Sequence, residues 1–139
     1  MISVERLQHT ADIGLALKAS TLEELFKAAA IELFRLICSN SDEILEKEEH
    51  SLSVEGHDLE EMLVNWLSEL NFLFQTEQIL VAEIIALNID KLLLHAKFSA
   101  DRLDSKRHQI HTEIKAVTYH DLLIRPISTG WEARIIFDV

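Results

Sequence analysis

The chain has 139 residues, 48% of them hydrophobic and 27% charged, which is long and apolar enough for one folded domain and argues against disorder. Its formal net charge of -11, from 24 acidic and 13 basic residues, disfavours direct work on a phosphate backbone and suits a basic partner, a bound cation or plain solubility. A single cysteine, Cys38, excludes an internal disulfide and four-cysteine zinc sites. No apolar run reaches the length of a membrane span. "MISVERLQHTAD" lacks the basic start and apolar stretch of a secretory signal, so the cytoplasm is the expected compartment.

No repeat, low-complexity tract or Pro/Gly-rich linker interrupts the chain, and one domain over residues 1–139 is expected. Residues 3–8 read as a short strand. "DIGLALKA" alternates, with Ile13, Leu15, Leu17 and Ala19 on one face and Asp12, Gly14, Ala16 and Lys18 on the other. A helix follows in "STLEELFKAAAIELFRLIC", where Thr21 can cap and Glu24 can complete a capping box. Leu22, Leu25, Phe26, Ala29, Leu33 and Leu36 form its apolar stripe. "SDEILEKEEH" runs from an acidic loop into a strand.

Asp58 and Glu61 repeat the capping pattern before "DLEEMLVNWLSELNFLFQTE". Leu63, Trp66, Leu67, Leu70, Leu73 and Phe74 make a wide apolar face, with Val64 and Phe72 outside it. A helix buried on more than one side explains the surplus; a partner-binding strip is the other reading. "LVAEIIALNID" and "LLLHAKFSA" read as paired strands joined near Asp90–Lys91, and "ADRLDSKRHQ" as a charged loop. "IHTEIKAVTYHDLLIRPIS" holds one long strand or two, and Thr129–Gly130 turn into the last strand, "GWEARIIFDV". Two helices among mostly antiparallel strands make an α+β fold.

Much chemistry can be set aside. Three scattered glycines cannot form a phosphate loop or a dinucleotide fingerprint. Cys38, within the apolar helix pattern, reads as an inert core thiol. "HTE" at 111–113 matches part of a zinc-deaminase motif, but one cysteine cannot supply the remaining ligands. His50, His57 and His95 read as surface residues, and no H-x-x-x-H helix pair points to zinc.

Two acids stand apart. Asp12 opens the second strand, and Asp138 precedes the carboxylate at Val139, on the face opposite the core residues of the last strand. If those two strands pair, three carboxylates converge, and they need a cation to stay ionised together. Hard oxygen donors suit calcium, magnesium or manganese. The plainer reading makes Asp12 a turn residue and Asp138 a solvated acid near a terminus.

At these residues the chain resembles the archease family, through "HTADIGL" with "TLEELFKAAAIELF", "LVNWLSELNFLFQTE", "RHQIHTEIKAVTYHDL" and "GWEARIIFDV" in order. The resemblance implies an α+β fold and an activator of the RtcB-type RNA ligase, which promotes the ligase's guanylylation and multiple turnover in tRNA splicing or RNA repair. Such a protein is not itself an enzyme and meets RNA only through the ligase. The resemblance also implies a divalent-cation site, calcium in the usual description, with Asp12, Asp138 and Val139 as ligands. His9, Lys115, Tyr119 and His120 lie beside the family motifs as candidates for ligase contact; a cross-strand ion pair for Lys115 and core-edge packing for Tyr119 are the plainer accounts. In "SADRLDSKRH" a glycine common in the family is missing, and Asp121 stands where many members have glycine. The rival functions are a chaperone-like adaptor for RNA-modifying enzymes and a small metal-dependent phosphohydrolase.

Overall fold

The computed structural model describes residues 2–8 and 11–139. Strands β1 (Ile2–Gln8) and β2 (Asp12–Ala19) precede helix α1 (Leu22–Ile37) and strand β3 (Glu48–Glu55). Helix α2 (Leu59–Glu77) leads into β4 (Ile79–Asp90), β5 (Leu93–Arg102), β6 (Ala116–Ile127) and β7 (Gly130–Asp138). They form two antiparallel sheets, ordered β1-β2-β7-β6 and β3-β5-β4. The expected α+β fold is the one observed.

Both helices lie between the sheets: α1 packs on β2, β7 and β4, and α2 on β6, β3 and β4. A helix covered on two sides needs more than one apolar stripe. In α1, Ala28, Ala30, Phe34 and Ile37 are therefore buried along with the sequence-read face. In α2, Val64 is buried too, while Phe72 remains exposed. The Trp66 indole N–H donates to the Phe26 carbonyl at 3.0 Å and ties the two helices together. Full burial of Trp66, Phe26, Phe34, Phe98 and Phe137 makes one continuous core across the three layers.

Local chemistry starts the helices where the sequence places them. The Thr21 hydroxyl accepts the Glu24 N–H at 3.1 Å, and the Asp58 carboxylate accepts the Glu61 N–H at 2.8 Å. At α2 the glutamate's return bond goes to the His57 N–H, one residue before the cap. Gln78 ends α2 in the left-handed region at φ 57°.

Four expectations need correction. β5 continues through Ala100–Arg102, so the charged loop starts at Leu103, and Asp101 is buried at 1% exposure. Residues 111–115 lie outside any ladder, and β6 begins only at Ala116, so the strand read from "IHTEIKAVTYHDLLIRPIS" starts later than its first residues. The β6–β7 turn is Ser128–Thr129, with Gly130 already in β7 at φ 144°; a Cβ there would stand 2.2 Å from the Ala19 carbonyl oxygen. His50 is half-buried against Phe98, ring centroids 5.5 Å apart, rather than free on the surface.

Candidate functional site

Alternation in "DIGLALKA" and "GWEARIIFDV" puts one face of each strand into the core: Leu15, Leu17, Ala133, Ile135 and Phe137 are buried. The strand pairing that the carboxylate reading needed is present. β2 and β7 run antiparallel with Asp12 directly opposite Asp138, and β6 places Ala116 opposite Asp138 on its other side. The Val139 N–H donates to the Ala11 carbonyl at 3.2 Å. That bond brackets the aspartate pair and makes it a narrow one, in which facing Cα atoms stand about 4.5 Å apart. Residues in register share a face, so both carboxylates lie on the outer side of the sheet. From the other side, the Lys115 N–H donates to the Asp138 carbonyl at 2.8 Å. The last two residues are thus fixed from both neighbouring segments.

The Asp12 side chain is only partly exposed, and its Oδ1 atom is buried without a hydrogen-bond partner among the described residues. An orphaned carboxylate oxygen is costly in a fold unless something satisfies it. Among the described residues, no group of three or more His, Cys, Asp or Glu side chains is placed to hold a metal ion. Asp12 and Asp138 bring two side-chain carboxylates to this edge, hard-oxygen donors of the kind calcium, magnesium or manganese accept.

The other candidates divide. Lys115 is exposed, sits against Asp138 through its backbone, and forms no ion pair among the described residues, so the cross-strand bridge is not its role. Tyr119 and His120 lie further along β6 in an irregular stretch where Tyr119–Leu122 face the single residue Ile135, and Asp121 adopts φ 52°. Tyr119 is 58% exposed, not packed at the core edge. Burial of part of the ring pushes its phenol up, with the Glu61 and Asp58 carboxylates adding to the effect, which places it beside the start of α2. His120 meets Asp121 at 3.4 Å, an exposed contact of little energetic weight. His9 lies outside the described residues.

Sequence reasoning missed a second carboxylate centre. Asp101 accepts the Leu45 N–H at 3.0 Å and the Arg102 N–H at 2.8 Å, and pairs with Arg107 at 2.8 Å, His108 at 3.2 Å and Lys47 at 3.8 Å. Burial by itself would raise this carboxyl, but the Arg107 hydrogen bond and the two amides outweigh it and hold the group well below the carboxylate range. Nδ1 of the buried His108 accepts the Asp104 N–H at 3.0 Å, which leaves Nε2 to carry the ring proton toward Asp101 and the Glu43 carbonyl. The cue in the sequence was the alternation that places Asp101 on one face of β5 with His95, Lys97 and Ser99; that face is exposed at His95 and Lys97 and becomes buried at Ser99 and Asp101. Cys38 is buried at the end of α1, and burial pushes its thiol up, as an unreactive core residue requires.

Comparison with known proteins adds an independent line. Residues 5–139 match the model of the Archease protein family. A protein archease of Pyrococcus abyssi is 39% identical, with 97% of each chain covered. One of Methanosarcina mazei is 33% identical over 97% of this chain and 94% of its own. A Methanobacterium thermoautotrophicum protein solved in solution matches with a TM-score of 0.82 at 26% identity, over 98% of both chains. A Thermotoga maritima archease, described as a possible chaperone, shares the fold with a TM-score of 0.67 at 21% identity, over 97% of this chain and 96% of its own.

Proposed function

Because the chain belongs to the archease family, we propose that it is a non-enzymatic activator of an RtcB-type RNA ligase, working in the cytoplasm to promote guanylylation and multiple turnover. The observation that carries the reading is the Asp12–Asp138 register with its orphaned Oδ1 atom, closed by the pinned Val139. A divalent cation, calcium first and magnesium or manganese next, is held there by Asp12, Asp138 and the Val139 carboxylate. When bound, the ion supplies the positive charge that lets facing carboxylates stand together.

The chain's own residues then do the docking. Lys115 is exposed beside the aspartates, and Tyr119 and His120 project from the irregular part of β6, so all three candidates for ligase contact are accessible. His9, the fourth, precedes Asp12 by three positions. The net charge of -11 suits a basic protein surface and keeps RNA contact indirect, through the ligase. Guanylylation develops charge on phosphates within the ligase active site, where metals and basic groups stabilise it. An acidic activator does not need to enter that chemistry; a fixed docking surface is enough.

The alternative of a chaperone-like adaptor drew on the wide apolar face of α2. Most of that face is spent on the two sheets, since Val64 is buried along with Leu63, Trp66 and Leu67, while Leu73 and Phe74 are half-buried and Phe72 is exposed.

The test is RNA ligation by the cognate ligase under multiple-turnover conditions, with this protein at substoichiometric amounts. Wild type should restore turnover, and Asp12→Asn should lose both activation and cation binding. Full activation by a variant that no longer binds the cation would rule out the coupling. No change of rate with wild type would leave the adaptor reading standing.

A further inference from the structure

A cavity of about 380 Å³ lies at the end of α1, on the helix-facing side of the sheet. Its polar wall consists of Arg6, Arg35, Ser39, Ser41, His111 and Thr112; Ile13 and Leu36 supply the apolar part. Ile13 follows Asp12 in β2, and alternation sends the two side chains to opposite faces, so this cavity is separate from the aspartate pair.

The charge here runs against the rest of the chain. Arg35 binds Glu32 Oε1 at 2.6 Å and Arg6 stands 3.7 Å from Glu32 Oε2. Two guanidinium groups thus share one carboxylate, which is 7% exposed, while Asp42, next to Ser41, is a further acid at this end of α1. Each guanidinium carries five N–H donors and spends few of them on Glu32. The opposite wall is held rigidly: Cys38 bridges to Ile110, the Ser39 N–H donates to the Gln109 carbonyl at 2.9 Å, and the His111 N–H to the Ile37 carbonyl at 2.8 Å. Among the described residues, Ser41 Oγ makes no hydrogen bond, and the His111 ring meets only the Thr112 hydroxyl, at 2.9 Å.

We propose that this cavity binds the phosphate group of a small phosphate monoester. Arg6 and Arg35 supply the charged, forked donors that match phosphate oxygens, and Ser41, Thr112 and His111 supply the neutral ones. The organic part of the ligand lies over Ile13 and Leu36. The volume falls within the range of small-ligand pockets and exceeds what a bare phosphate fills. This inference stands independently of the ligase reading.

The experiment follows backbone amide resonances of the full chain during titration with inorganic phosphate, glycerol 3-phosphate and a nucleoside monophosphate at constant ionic strength. Saturable shifts should appear at Ser39, Ser41, His111 and Thr112, with the monoesters binding more tightly than inorganic phosphate. Arg6→Gln should weaken binding by about tenfold or more, the loss expected for a charge-assisted contact. Arg35 stays paired with Glu32 in that variant, so the fold is retained, and Arg6→Lys should weaken binding by less. The assignment is overturned by unsaturable shifts, by shifts away from the cavity, by an unchanged affinity in Arg6→Gln, or by equal binding of acetate.

Discussion

Two carboxylate centres in this molecule face the same physical problem and meet it in opposite ways. Asp101 is 1% exposed and has two backbone amides, an arginine, a histidine and a lysine around it. Among the described residues, Asp12 has a buried Oδ1 with no partner, and what faces it across the strand pair is another aspartate. The first centre is electrically complete within the chain. The second sets two acids face to face with no ion pair among the described residues, held in place by backbone bonds at Val139 and Lys115. On the proposed reading, that contrast makes Asp12 and Asp138 the place for binding and Asp101 a place for stability.

Breaking the complete centre should have the largest effect on folding. Asp101→Asn removes the partner of Arg107 and Lys47 and should cost about 3 kcal/mol or more, as the loss of one member of a buried ion pair does. Urea denaturation should show the midpoint falling with little change in slope. The acid limb follows with its sign. A carboxyl held below its unfolded value of about 3.9 contributes fully above that pH, and the contribution is lost as pH falls further. Wild type should therefore lose stability below about pH 4 more steeply than Asp101→Asn. Parallel acid profiles for the two proteins would remove Asp101 from this role.

The contrast also separates what could be read from the sequence and what could not. Local signals were legible: Thr21 and Asp58 cap the helices as their spacing indicates, and the alternation in residues 12–19 and 131–139 matches the observed core faces. The aspartate pair was legible only with an assumed strand pairing, because register between strands at opposite ends of the chain leaves no local trace. Asp101 was misplaced because "ADRLDSKRHQ" has the composition of a loop. Its burial comes from residues 43–47 and from Arg107 and His108, contacts that a window of neighbouring residues does not contain. Glu32 was hidden for a related reason: with Arg35 three positions on, it looks like an ordinary surface pair, and Arg6 from β1 completes the group. The irregularity at Tyr119–Leu122 also escaped, since Asp121 at φ 52° occupies a conformation that glycine would have signalled.

Completing the open centre should have the next largest effect. A ligand that binds only the folded state stabilises it by about 2.7 kcal/mol at a hundredfold excess over Kd. Calcium should raise the melting temperature of wild type after chelator treatment, and magnesium or manganese should do so less or at higher concentration. Asp12→Asn and Asp138→Asn should each lose most of the rise. Residues added after Val139 move the carboxylate away and should also weaken it. Asp101→Asn should keep the rise in full, because that centre has its own cations. An equal calcium response in wild type and Asp12→Asn would end the case for the site.

The smallest effect is also the sharpest, because its sign is opposite. Without a cation, like charges directly opposite on a narrow strand pair work against folding, by about 0.2–1 kcal/mol in comparable pairs. Asp12→Asn removes one of those charges, and its amide nitrogen can donate to Asp138 across the pair. The metal-free variant should therefore be slightly more stable than metal-free wild type, although it is less stable when calcium is present. A double-mutant cycle with Asp138→Asn isolates the term: the second substitution should add little once the first has removed the repulsion. Such a crossing is not expected of a structural aspartate, whose loss destabilises the fold with or without calcium. If Asp12→Asn destabilises the metal-free chain, Asp12 belongs with Asp101, as a residue that holds the fold and not one that waits for an ion.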